Sequence, residues 1–143
     1  MGAPTSTLRS RPLTLIYEIP IGKTQKFWEE LKGGRVVATR CKKCRELLFP
    51  PAADCPHCLS TDTEWVKLNG EAEIEAFTHI EVKPASFQQQ EPYTVAVGRL
   101  KEGVKVLAWL TDVKLKDVKV GMRARLVAKV TPEGEPTYVF VPT

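Results

Sequence analysis

A mainly β fold is predicted, and three observations predict it. Four cysteines fall in two CxxC pairs close together in the chain. The apolar pattern is helical only once, ahead of those pairs. After Gly70 it takes a period of two and keeps it through most of five segments. Apolar residues at i, i+3, i+4 and i+7 mark a helix, and strict alternation marks a half-buried strand. The expected order is an N-terminal arm and amphipathic helix over residues 1–34, a rubredoxin-like zinc ribbon over 35–67, and a five-stranded OB-type Greek-key barrel over 68–143.

The arm comes first. Residues 1–20 hold three prolines and no helical period. Leu13 to Ile19 is apolar enough to lie extended on another surface. Thr24, Phe27, Trp28 and Leu31 then fall at i, i+3, i+4 and i+7, which gives an amphipathic helix of about three turns. Gly33-Gly34 ends it. Phe27 and Trp28 are expected to pack against the ribbon or a partner.

The cysteines follow as Cys41-Lys-Lys-Cys44, ten residues, then Cys55-Pro-His-Cys58. Two residues between thiolates let one tight turn present both sulfurs to one ion. Two such turns complete a tetrahedron at a Zn–S distance of ~2.3 Å. Zinc suits a closed four-sulfur site, although the spacing alone does not separate it from iron. One CxxC by itself would also fit a redox pair; two in tandem on short loops favour the metal. His57 sits between two ligands and reads as a turn residue. Val36 to Arg40 is the expected strand into the first knuckle and Leu47 to Phe49 the strand out of it. Pro50-Pro51 stops further pairing because proline has no N–H. Thr63 to Lys67 is the strand after the second knuckle.

In the barrel, Ala72, Ile74, Ala76, Thr78, Ile80 and Val82 alternate with Glu71, Glu73, Glu75, Phe77, His79 and Glu81. The first set is expected inside and the second outside. Tyr93 to Leu100 and Val104 to Leu110 make a hairpin across Lys101-Glu102-Gly103. Met122 to Val130 and Thr137 to Val141 complete five strands. Residues 112–121 leave little room for the helix that many OB barrels carry between strands three and four, so an SH3-like barrel stays in play.

Composition bounds the function. The chain has 143 residues, 43% hydrophobic and 27% charged, with a net charge of +4. Those values describe an ordinary globular protein. No run approaches the ~20 apolar residues of a membrane-spanning helix, and residues 1–10 lack the apolar core of a secretion signal. A cytoplasmic location is expected, where disulfides are the minority use of cysteine. No nucleophile elbow, phosphate-binding glycine loop or HExxH motif is present. A zinc closed by four thiolates has no vacant position for hydrolysis. A stand-alone enzyme is therefore not expected.

Binding is the better class. Arg40, Lys42, Lys43 and Arg45 sit within an eleven-residue stretch that holds no acid. They either offset an anionic metal centre or meet an anionic ligand. On the barrel, Arg99, Arg123 and Arg125 are candidate phosphate contacts. Phe77 and Trp109 are candidate aromatic contacts on the face opposite the main alternation. OB barrels bind single strands with such groups, but residues 66–143 carry only eleven Lys/Arg against ten Asp/Glu. A nucleic-acid-binding module is thus the second choice.

The order of parts carries a resemblance. Phe27-Trp28-Glu29-Glu30-Leu31 leads to Arg40-Cys41-Lys42-Lys43-Cys44. Then come Phe49-Pro50-Pro51, Cys55-Pro56-His57-Cys58, Trp65, Leu68-Asn69-Gly70, Pro92-Tyr93 and Val120-Gly121-Met122. From about Phe27 onward the chain resembles the acyl-CoA-associated zinc-ribbon/OB-fold family, whose members accompany thiolases and hydroxymethylglutaryl-CoA synthases in archaea and bacteria. It departs at Ala52, where members usually carry arginine, and at Ala72, where a second glycine is frequent. The resemblance implies a structural Zn²⁺ and a non-catalytic accessory or scaffold subunit. Such a subunit would bridge a thiolase- or synthase-like partner or help position its acyl-CoA. A nucleic-acid partner and a membrane are not implied.

Overall fold

The computed structural model describes Gly2 and residues 6–143. Met1 and residues 3–5, the beginning of the predicted arm, lie outside the described residues. Residues 6–21 form no helix or strand, and Leu13, Leu15, Tyr17 and Ile19 are all exposed.

Helix α1 (Gln25–Lys32) buries Phe27 and Leu31, as its period requires. Its end is a Schellman motif. Gly34, at φ 82°, donates to Leu31 O (3.0 Å), and Arg35 donates to Glu30 O (2.8 Å). Strands β1 (Val37–Cys41), β2 (Leu47–Leu48) and β3 (Thr63–Lys67) form an antiparallel sheet in the order β2-β1-β3. Central strand β1 buries Val37, Ala38, Thr39 and Cys41.

Strands β4 (Glu71–Ile80), β5 (Tyr93–Leu100), β6 (Lys105–Leu110), β7 (Arg123–Val130) and β8 (Pro136–Pro142) close into a barrel in the order β4-β5-β6-β8-β7. Strands β6 and β8 are parallel, and β7 closes antiparallel on β4. This is the OB arrangement, not the SH3-like one. The segment between β6 and β7 has room for one helical turn only, Leu115–Asp117. Helix α1 takes the place of the longer helix. It packs on β7, β8 and β1, with the Phe27 ring 6.1 Å from Tyr138 and 5.9 Å from Phe49. One apolar core therefore runs from α1 and the root of β1 into the barrel, through Leu31, Ala38, Ile74, Leu100 and Phe140.

Strand β4 departs from its predicted alternation. Ile74 pairs with Gly98, but the next pair is Ala76 with Val97, so Glu75 is an extra residue in a β-bulge. A one-residue insertion exchanges the two faces beyond it. Phe77 and His79 then share the inner side with their partners Ala96 and Thr94, while Ala76, Thr78 and Ile80 face outward. The expected inward set is thus right for Ala72 and Ile74 and wrong for Ala76, Thr78 and Ile80. Val82 lies beyond the strand and is 95% exposed. His79 is half-buried, with Nδ1 2.9 Å from Thr94 Oγ1, rather than a freely solvated residue.

Candidate metal centre and cation recesses

The two knuckles have the same backbone. Cys41 donates to Glu46 O (2.9 Å) and Arg45 donates to Cys41 O (3.0 Å). In the second knuckle, Cys55 donates to Ser60 O (2.8 Å) and Leu59 donates to Cys55 O (2.9 Å). Arg45 and Leu59 follow the second cysteine of each pair and both adopt left-handed backbone, at φ 65° and 60°. Few non-glycine residues do so. Their recurrence at matching positions is how two short turns aim four sulfurs at one point.

The sulfurs meet there. Cys41 Sγ lies 3.5 Å from Cys58 Sγ, and Cys44 Sγ lies 3.6 Å from Cys55 Sγ. All four lie within 4.8 Å of one another. A tetrahedral ion with ~2.3 Å bonds to sulfur requires edges of about 3.8 Å, so the donor set fits zinc. Cys41 and Cys55 are buried and Cys44 and Cys58 partly so. The Cys44 N–H, aimed at Cys41 Sγ from 3.5 Å, is the main cause that pulls the Cys41 thiol down to about 6. The Glu46 N–H pulls Cys44 down as well, but burial and the three neighbouring sulfurs outweigh it and push that thiol up to about 12. Four crowded thiols cannot all ionise without a cation among them.

A threonine holds the ribbon around this centre. Thr39 is 2% exposed. Its Oγ1 donates to Ala52 O (2.9 Å) and accepts from Ala52 N–H (3.0 Å). That double bond pins the Pro50-Pro51-Ala52 segment to β1. No sequence signal marks it, because the partners lie thirteen residues apart.

The ribbon cations are largely engaged. Arg45 pairs with Glu64 (3.1 Å) and Lys42 with Asp62 (3.4 Å), while Arg40 Nη1 donates to Arg45 O (3.3 Å). Lys43 is exposed and has no ion-pair partner among the described residues. Arg40 and Arg45 line a recess of about 400 Å³ with Glu102, Gly103 and Lys105. Across the same hairpin, Arg99, Arg123 and Arg125 line a second recess of about 640 Å³ with Lys101, Glu71 and Glu73. Gly103 borders both. Two cation groups that are far apart in sequence therefore flank one β-hairpin.

Register explains the second recess. Glu71 stands opposite Arg125, and Glu73 opposite both Arg99 and Arg123. Glu75 binds Arg99 and, at 2.9 Å, Lys105; Glu71 binds Lys101 and, at 3.6 Å, Arg125. Hydrogen bonding from Lys101 holds the Glu71 carboxyl below its usual range, and Lys105, then Arg99, do the same to Glu75. Arg123 has no ion-pair partner among the described residues. The three glutamates read from sequence as a solvated face are in part a salt-bridge layer over the barrel wall.

The two candidate aromatics are not brought together. Trp109 faces outward from β6, stacked on Tyr93 at 4.2 Å and 9°. Phe87 completes that cluster, 6.2 Å from Trp109. Phe77 is turned to the inner side by the bulge and is 36% exposed. The expectation that Phe77 and Trp109 share a ligand-facing surface is therefore corrected. No described helix is long and apolar enough to cross a membrane.

Known proteins share this architecture. Residues 28–64 match the rubredoxin-like zinc ribbon domain of ChsH2, and residues 65–129 match the C-terminal OB-fold domain of ChsH2. A DUF35 domain-containing scaffold protein of Methanocaldococcus jannaschii is 33% identical over 71% of this chain and 74% of its own length. One from Pyrococcus furiosus is 31% identical over 75% and 79%. A probable enoyl-CoA hydratase alpha subunit of Thermomonospora curvata is 31% identical over 82% of this chain, which spans 37% of that protein. Among solved structures, a chain of the Ltp2-ChsH2(DUF35) aldolase matches at TM-score 0.72 and 26% identity, over 92% of this chain and 98% of that one. With its clustered cysteines, its closed barrel and these matches, the chain belongs to the DUF35 family, in which a ChsH2-type rubredoxin-like zinc ribbon precedes an OB-fold domain.

Proposed function

We infer that this chain is a non-catalytic scaffold subunit of a cytoplasmic acyl-CoA enzyme, with one structural Zn²⁺ on Cys41, Cys44, Cys55 and Cys58. The partner is of the thiolase or hydroxymethylglutaryl-CoA synthase kind. The chain's contribution to chemistry is to hold the nucleotide end of acyl-CoA while the partner acts on the thioester. Binding energy from that remote portion serves to position the reacting group.

One observation carries the reading: the convergence of Arg99, Arg123 and Arg125 in a recess beside the 101–103 hairpin, with Arg40 and Arg45 on its other side. Arg123 stands opposite Glu73 but makes no ion pair among the described residues, and Arg125 holds its glutamate only at 3.6 Å. Arg99 and Lys101 are ion-paired, so Arg123, with the loosely held Arg125, is the cation available to a phosphate in this recess. The recess is not a continuous basic track, and nothing here favours nucleic acid over a small anionic ligand. The relatives named as scaffold proteins support the non-catalytic role. The relative named as a probable enoyl-CoA hydratase subunit supports an acyl-CoA enzyme as the partner class, and the solved Ltp2-ChsH2(DUF35) aldolase supports an enzyme as the partner. Four clustered thiols and the match to a rubredoxin-like zinc ribbon support zinc as the metal.

The test is purification of the full chain from its own host under native conditions, followed by identification of stoichiometric companions. A thiolase- or synthase-fold subunit is expected. A chain that purifies alone, or with nucleic acid, would contradict the reading.

A further inference from the structure

OB barrels ordinarily meet their ligands on the outer face of the second and third strands. In this barrel those strands are β5 and β6. The buried residues Thr94, Ala96, Val106 and Ala108 fix which side is inside. The opposite side of β5 and β6 carries Val95, Val97, Leu107 and Trp109. Val97 stands beside Leu107, and Val95 beside Trp109; the row runs on through Val139, which is buried at 5%, to half-buried Val127. The outer face of a small barrel is ordinarily polar. Here it carries an apolar strip: Leu107, paired with Val97 and next to Lys105 on its own strand, is 64% exposed, while Val95, Val97 and Trp109 are half-buried.

The charges sit at its border. Arg99 and Lys105, next along β5 and β6, are both bound to Glu75. Among the described residues, the cations that border this surface are thus already neutralised against a polyanion. An apolar centre with an ion-paired rim and a rigid aromatic pair, Tyr93 on Trp109, is the anatomy of a protein–protein interface. We propose that the outer wall of β5 and β6 is the seat of the partner enzyme, so that the OB ligand face serves here to dock a protein. This rests on the functional reading above, and it names which surface of the chain the partner covers. The occupant is a folded enzyme with an exposed apolar patch. Relatives named as scaffolds, and one solved within an aldolase complex, favour a protein enzyme over other occupants.

The experiment uses the full chain as wild type, Leu107→Asp, the milder Leu107→Ser, and Val120→Asp as control. Val120 is as exposed as Leu107, at 64%, but lies in the turn before β7. Each chain is titrated calorimetrically into the source organism's purified thiolase and hydroxymethylglutaryl-CoA synthase, and each is sedimented alone. Wild type and Val120→Asp are expected to bind one enzyme with Kd values within about twofold. Leu107→Asp is expected to weaken binding at least about tenfold, with Leu107→Ser between them. Equal binding by wild type and both Leu107 variants would overturn the docking wall and leave the functional reading standing. Binding of the wild type to neither enzyme would overturn the functional reading, and the wall with it. Self-association lost in Leu107→Asp while enzyme binding persists would assign the wall to a second copy and overturn the proposal.

Discussion

Phe140 occupies the space that a side chain at Gly98 would need. A Cβ built on Gly98 would lie 2.5 Å from Phe140 Cζ. The two residues sit on β5 and β8, with β6 between them in the barrel order, and Phe140 is fully buried. Their contact thus ties the second strand to the fifth through the core.

Gly98→Ala should therefore overpack the barrel. The ring cannot retreat without moving its neighbours, and such insertions cost ~1–3 kcal/mol. A lowered denaturation midpoint is expected, with partial recovery in Gly98→Ala/Phe140→Leu because the two sites are coupled. Unchanged stability in the single variant would show that the ring is free to shift.

Thr39→Val should loosen the ribbon without touching a cysteine. Valine keeps the shape but leaves Ala52 N–H and C=O without their partner. An unsatisfied buried polar group costs ~1–3 kcal/mol. Faster amide exchange across residues 50–53 would register it, with the barrel strands unaffected. Unaltered exchange there would mean that Thr39 is not the clamp.

Elemental analysis should find one zinc per chain in protein purified without chelator. Cys41→Ser should abolish it and free the knuckles. The root of β1 should stay, because Val37 and Ala38 belong to the core shared with α1 and the barrel, whereas Cys41, Leu48 and Cys55 form a separate small cluster. Protection from hydrogen exchange should therefore be lost from residues 41–62 and kept from residues 71–130. Loss of all protection would make the ribbon and barrel one folding unit. Absence of zinc and iron from the wild type would remove the metal centre.

Much of this was legible in the sequence because the signals are local. Two CxxC pairs ten residues apart name their own geometry. Period-two alternation located the barrel strands, and the helical period of Phe27, Trp28 and Leu31 located α1. What escaped depends on pairing between distant segments. Nothing in Glu73-Ile74-Glu75-Ala76 marks a bulge, since neither glycine nor proline is present, yet one extra residue reversed Phe77 and His79. The apolar wall was hidden for a related reason. Val95, Ala96 and Val97 are all apolar, so the sequence does not mark which face of this strand is inside, and only the register and burial assign Val95 and Val97 to the outer one. The two cation groups could be named singly, but their meeting at one hairpin is a property of the register.

Acid should weaken the salt-bridge layer in a predictable direction. Lys105 first, then Arg99, hold the Glu75 carboxyl below its ordinary range. Its folded value therefore lies under the unfolded value of about 4.3. The stabilisation is present above the unfolded value and is lost as pH falls through the folded one. The stability gap between wild type and Glu75→Gln should thus be present at pH 7, shrink below the ordinary carboxylate range and vanish in stronger acid. A gap independent of pH would show that Glu75 acts through packing and not through charge.

If this chain assists acyl-CoA chemistry without performing it, steady-state kinetics of a reconstituted complex will show it. The chain alone should show no acyl-transfer or condensation activity. Added to its thiolase- or synthase-fold partner, it should raise kcat/KM. Arg123→Ala in the complex should raise the apparent KM for acyl-CoA several-fold at about constant kcat, the signature of lost remote binding, and should make it less sensitive to salt. Turnover by the chain alone, or partner kinetics and assembly unchanged by the chain and by charge reversal at Arg99, Arg123 and Arg125, would contradict the account.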